Sequence, residues 1–162
     1  MTKSTITSKK RVTDHGEVFT SEREVNAMLD LVKQESERID SRFLEPACGD
    51  GNFLSEILNR KLIIVEGRYS KSQKELDKYS LVAITSIYGV ELLEDNVERC
   101  KERLFKIYLD WYNSISRGQI NEKLFNCVQF VLSKNIIHGD ALTLKAIGES
   151  EEPIVFSEWS FT

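Results

Sequence analysis

The chain has 162 residues, 41% hydrophobic and 30% charged, the size and make-up of one globular domain. Its net charge of −4 is unevenly placed: Lys3, Lys9, Lys10 and Arg11 give residues 1–11 a charge of +4, so the other 151 residues carry −8. That balance excludes a phosphate-gripping basic body, and the short apolar runs exclude a membrane span of ~20 residues. The opening "MTKSTITSKK" lacks the apolar core of a signal peptide. Cys48, Cys100 and Cys127 have no CxxC spacing, which fits reduced thiols in a cytoplasm and no metal site.

In chain order, residues 1–18 read as a flexible basic arm. Ser21 with Glu24 three residues on forms a capping box, and Val25, Met28, Leu29 and Val32 follow on one helical stripe. "RFLEPA" reads as a short strand stopped by Pro46, which cannot donate to a ladder. A glycine-containing turn and a helix follow, with Phe53, Leu54, Ile57 and Leu58 on one face. Residues 66–80, "EGRYSKSQKELDKYS", read as an exposed insertion, partly helical, and "VAITSIYGVEL" as a second strand ending near Glu91.

Leu93, Val97, Cys100, Leu104, Ile107 and Trp111 then step by four and three, the signature of a long helix. Leu124, Phe125, Val128 and Leu132 mark a shorter one. "KNIIHGD" is a third strand ending at Asp140, and "PIVFSEW" a fourth. Strands alternating with helices imply an α/β fold with a doubly wound, mostly parallel sheet. In such sheets ligands sit at the carboxyl ends of the strands. The glycine turn, Glu91 and Asp140 all fall at those ends.

Gly49 and Gly51 allow close backbone approach and positive φ. The third glycine of a dinucleotide fingerprint is replaced by Leu54, which weakens the NAD reading, and no GK[ST] follows, so the turn is not a P-loop. A carboxylate at the end of the second strand can accept hydrogen bonds from both ribose hydroxyls of an adenosine. Each residue also has a plainer role: a tight turn for the glycines, a solvated strand end for Glu91, a helix cap for Asp140, Thr20 or Ser21. Cys48 reads as a small packing residue and His138 as structural; Tyr108 and Trp111 read as core.

"FLEPACGDGNFL" resembles the first motif of S-adenosylmethionine-dependent DNA adenine-N6 methyltransferases, the modification enzymes of restriction systems. "IYGVEL" and "IIHGDAL" resemble their second and third motifs, and "HGEVFTSEREVNAMLDLV" the segment that closes over the methionine end. The resemblance covers about residues 14–144. It implies a Rossmann-like class I methyltransferase fold over residues 19–162 and S-adenosylmethionine as cofactor. Glu45 would lie near the methionine amino group, with Pro46, Ala47, Cys48 and Gly49 lining the turn and Phe53 following it. Gly51 would let the chain pass under the cofactor. Glu91 would hold the ribose, Leu92 would pack on the adenine, and Asp140 and Ala141 would meet its amine edge. Phe19 and Thr20 would approach the methionyl part.

The family places an Asn/Asp/Ser-Pro-Pro-Tyr/Phe tetrapeptide after the fourth strand to orient the target amine. At that place the chain reads "FSEWS", leaving Ser157 as the one residue that could mimic its first member. Family sheets have seven strands, and this chain supplies about four. The expectation is a cofactor-binding domain inactive alone, meeting DNA only through a partner subunit. Its open sheet edge would be covered by a second copy or another chain. The alternative is a non-catalytic regulatory or decoy protein acting through a protein partner in a phage or restriction-modification setting.

Overall fold

A computed structural model of the chain describes Val12 and residues 20–116, 120–148 and 152–161. The basic arm, Val12 aside, and Phe19 lie outside the described residues. Helix α1 (Glu22–Leu31) begins at Ser21, where the capping box forms: Glu24 N–H donates to Ser21 Oγ, and Ser21 N–H donates to Glu24 Oε2 at 3.1 Å. Its stripe buries Val25 and Leu29. A one-turn helix, α2 (Lys33–Ser36), leads to β1 (Phe43–Glu45).

The next two helices correct the sequence reading. Residues 66–69 complete α3 (Asn52–Tyr69), and residues 73–80 open α4 (Gln73–Thr85), so 66–80 is no loop-like insertion. "VAIT" belongs to α4, and strand β2 spans only Ile87–Glu91. Ser72 caps α4 by accepting from Glu75 N–H. Leu76, Ser80, Ala83 and Ile84 then share its buried face. That helical burial pattern overrides the strand preference of the β-branched residues.

Helix α5 (Glu94–Ile115) buries Val97, Cys100, Leu104 and Tyr108 along the expected stripe. Helix α6 (Glu122–Asn135), strand β3 (Ile136–Asp140) and the two-residue strand β4 (Lys145–Ala146) complete the order. Strands run β1-β2-β3-β4 across the sheet. The first three are parallel, in register Phe43↔Ile87 and Gly89↔Ile136, while β4 is antiparallel to β3. The fold is thus α/β around a four-stranded mixed sheet.

Side-chain alternation separates the two faces of the sheet. Ile87 and Ile136 join one apolar core with Leu29, Leu54, Leu104 and Val128 from the helices. Tyr88 faces the other way, edge-on to Phe156, and a Cβ on Gly139 would meet Ile154 Cδ1 at 2.9 Å. Helices cover one face; residues 154–157 lie on the other, and Trp159 beyond them packs on the helix side. The doubly wound arrangement is therefore half present among the described residues.

"PIVFSEW" is not a fourth parallel strand. Pro153 forms a single antiparallel bridge to Lys145, and residues 154–161 have no regular structure. The chain descends across the sheet, from Ile154 N–H on Leu144 O (2.8 Å) to Trp159 Nε1–H on Asn135 Oδ1 (2.9 Å).

Lys61 of α3 is fully buried. Its ammonium donates to Ile39 O at 3.1 Å, to Ser86 Oγ at 2.5 Å and to Ser41 O, and lies 5.3 Å from the centre of the Phe43 ring. It ties the chain entering β1 to the chain entering β2. Burial pushes its pKa down to about 7.

Candidate functional site

Three parallel strands end side by side, and each ends on a carboxylate: Glu45, Glu91 and Asp140. Beyond Glu45 the chain turns tightly, with Gly51 N–H on Cys48 O at 2.9 Å. Gly49 and Gly51 adopt φ of 53° and 90°, in the left-handed region that favours glycine. Arg103 of α5 braces the turn from outside, through Asp50 Oδ2 at 2.5 Å and Asn52 Oδ1.

Above these strand ends lies a cleft of about 560 Å³. Of the residues expected at the site, Thr20, Glu45, Pro46, Ala47, Cys48 and Gly49 line it. So do Phe53, Glu91, Leu92, Asp140 and Ala141. Gly51 does not. A Cβ there would stand 2.8 Å from Cys100 Sγ, so this glycine serves the approach of α3 to α5 rather than a ligand. Ser157 is also elsewhere. Its carbonyl accepts from the Tyr88 hydroxyl at 2.8 Å on the far face, while Trp159 two residues on reaches Asn135 at the opposite end of β3.

Glu91 is 8% exposed and carries no cationic partner among the described residues. Gly49 N–H donates to its Oε2 at 2.9 Å; Leu93 N–H (3.0 Å) and Asn96 Nδ2–H (3.4 Å) donate to its Oε1. The carboxylate therefore joins the glycine turn to the start of α5. Burial raises the pKa of Glu45, against the backbone N–H of Ala47. Asp140 caps its own turn by accepting from Leu142 N–H at 2.8 Å. His138 donates to Leu92 O at 3.0 Å and so fixes the β2 end beside β3, a structural role.

Cys48 is buried, and its thiol is pushed far up in pKa by a hydrogen bond with Cys100 and by burial. A thiol held protonated is no nucleophile. Gly89 explains its position: a Cβ there would stand 2.8 Å from Cys48 Sγ.

The cleft is also lined by residues the motifs did not single out, among them Met28, Asn52, Leu93 and Asn96. Asn96 follows Glu91 by five positions, on the first turn of α5, a spacing that returns its side chain to the strand end. Met28 was legible only as part of a helical stripe; it is 53% exposed and faces the cleft.

The lining contains three carboxylates and, among the described residues, no Lys, Arg or His. Such a surface repels phosphate and favours a cationic, hydroxyl-bearing guest. The start of α3 has no side-chain cap and no acid in its first turn, so the positive end of its dipole is available to a guest's carboxylate. No group of three or more His, Cys, Asp or Glu stands together to hold a metal among the described residues. No helix among them is long and apolar enough to cross a membrane. Compared with known proteins, the chain matches no protein family, no curated protein and no solved structure.

Proposed function

We propose that the chain is a Rossmann-like, class I methyltransferase-type domain that binds S-adenosylmethionine at its strand ends and transfers no methyl group alone. The observation that carries this reading is the cleft itself. It is of nucleoside size, lined by the residues of all three motifs, and anionic with no balancing cation among the described residues. Adenosylmethionine brings a sulfonium, an ammonium, a carboxylate and a ribose. Glu91 would take the ribose, Leu92 and Asp140 the adenine, Glu45 the ammonium, and the first turn of α3 the carboxylate. When bound, the cofactor supplies an activated methyl group. The chain's own residues bind and orient it.

Isothermal calorimetry tests this reading. Adenosylmethionine should bind in the micromolar range, on the order of −7 to −8 kcal/mol, while ATP and NAD give no heat. Flat heats for adenosylmethionine, or tight binding of ATP, would reject the assignment.

The position of Ser157 favours the non-catalytic form of the proposal, a regulatory or decoy protein that acts through a partner. Among the described residues, nothing at the cleft stands in for the tetrapeptide that orients a target amine, and "FSEW" lies away from it, with the Ser157 carbonyl on Tyr88 of the far face. Tritiated methyl transfer to unmethylated DNA should be absent for the chain alone. Robust incorporation would restore the enzymatic reading, in which DNA is reached through a partner subunit.

A further inference from the structure

We propose that Asn96 is a positioning residue that, together with Leu93 N–H, fills one oxygen of Glu91, so that the carboxylate accepts from only one of a ligand's two ribose hydroxyls. The inference rests on the nucleoside reading of the cleft given above. An ionised carboxylate offers about four acceptor positions, two on each oxygen. Leu93 N–H at 3.0 Å and Asn96 Nδ2–H at 3.4 Å occupy those of Oε1. Gly49 N–H at 2.9 Å occupies one of Oε2. A single position remains, on Oε2.

The arrangement resists change because both side chains are enclosed: Asn96 is 0% exposed and Glu91 8%, yet both line the cleft. No cation among the described residues holds Glu91, so these N–H donors set its orientation. Turning both oxygens toward a vicinal diol would leave buried donors on the turn and on α5 without acceptors, at a cost that one extra hydroxyl contact does not recover. One hydroxyl of the diol therefore meets a fixed acceptor, and the other is left to water. This differs from the two-hydroxyl grip expected from the sequence.

Calorimetry of the full chain with S-adenosylhomocysteine and its 2′-deoxy and 3′-deoxy forms tests the inference. One deoxy form should bind about 10- to 100-fold more weakly, and the other within about threefold of the parent, because only one hydroxyl has a buried partner to abandon. Equal losses for both, or no loss for either, overturn it. A parent compound that gives no heat marks a different failure, that of the cleft reading itself, and removes this inference with it. In Asn96→Ala the second position on Oε1 opens, so the gap between the two deoxy forms should narrow. An unchanged gap in a variant that melts cooperatively overturns the part given to Asn96. Should that variant not fold, the wild-type comparison decides.

Discussion

At the scale of single residues, two glycines under the cleft do similar steric work for different reasons. A Cβ at Gly89 would stand 2.8 Å from Cys48 Sγ, in ordinary strand backbone; one at Gly51 would stand 2.8 Å from Cys100 Sγ, at a φ of 90°. Gly89→Ala and Gly51→Ala should each destabilise the fold by ~1–3 kcal/mol. Double-mutant cycles separate the causes. Adding Cys48→Ala should recover part of the Gly89→Ala loss, because the problem there is space alone, of which Leu54 Cδ1 at 3.0 Å and the Cβ of residue 48 at 3.1 Å keep the remainder. Adding Cys100→Ala should recover little of the Gly51→Ala loss, because the left-handed backbone remains strained. Urea unfolding of the four variants and two doubles measures this; full recovery at position 51 would show that backbone strain is minor there.

At the scale of elements, the sequence was most readable where a periodic stripe met a recognisable boundary. Ser21 with Glu24 opened α1, and the four-three spacing from Leu93 to Trp111 located α5, because burial and local chemistry agreed there. The reading went astray at "VAIT", where β-branched residues looked like a strand while their burial partners lay at helical spacing on α3 and α6. It went astray again at "PIVFSEW", where apolar residues cover a sheet face rather than pair along an edge. No local pattern distinguishes those two uses of an apolar run. Trp159 anchors the lower end of this crossing segment, through Asn135 and the ring of Phe130 at 6.1 Å. Trp159→Ala should cost ~1–2 kcal/mol and speed amide exchange over residues 154–161. Exchange in β2 should stay slow. Unchanged exchange in 154–161 would mean that other contacts hold the segment.

At the scale of the whole molecule, Lys61 gives the fold a pH dependence near neutrality. Its pKa lies at about 7 in the folded chain, below its ordinary value of 10.5. Between those values the unfolded chain binds more protons, so stability rises with pH from about 7 upward and is lowest below 7. Cys48, Tyr108 and Tyr112 shift the opposite way, the last up to about 12, so they erode stability only as the unfolded thiol and phenols begin to ionise. Between about pH 7 and 8.5 Lys61 dominates, and the unfolding free energy should rise by ~1–2 kcal/mol. Lys61→Met should flatten that slope while lowering stability overall, since Ile39 O and Ser41 O lose their donor. A wild-type profile without a rise across this window would count against a neutralised lysine.

The candidate site was more legible than the fold around it. Its residues fall in short contiguous stretches, 45–49, 91–92 and 140–141, and a parallel sheet brings such strand ends together whatever its remaining topology. What stayed illegible was the wiring beneath: the three donors on Glu91, the brace from Arg103 and the packing roles of Gly51 and Cys48. The Gly49 donor, the Arg103 brace and the packing of Gly51 and Cys48 join residues 40 or more positions apart, and the Leu93 and Asn96 donors depend on where α5 starts after β2.

The descending C-terminal segment also decides what the chain's own light can report. Trp159 sits at the foot of the sheet, and Trp111 holds Glu66 near the far end of α3; neither borders the cleft. Intrinsic emission will therefore track denaturation faithfully and stay indifferent to occupancy, so a nucleoside that docks at the strand ends should leave the fluorescence spectrum unchanged.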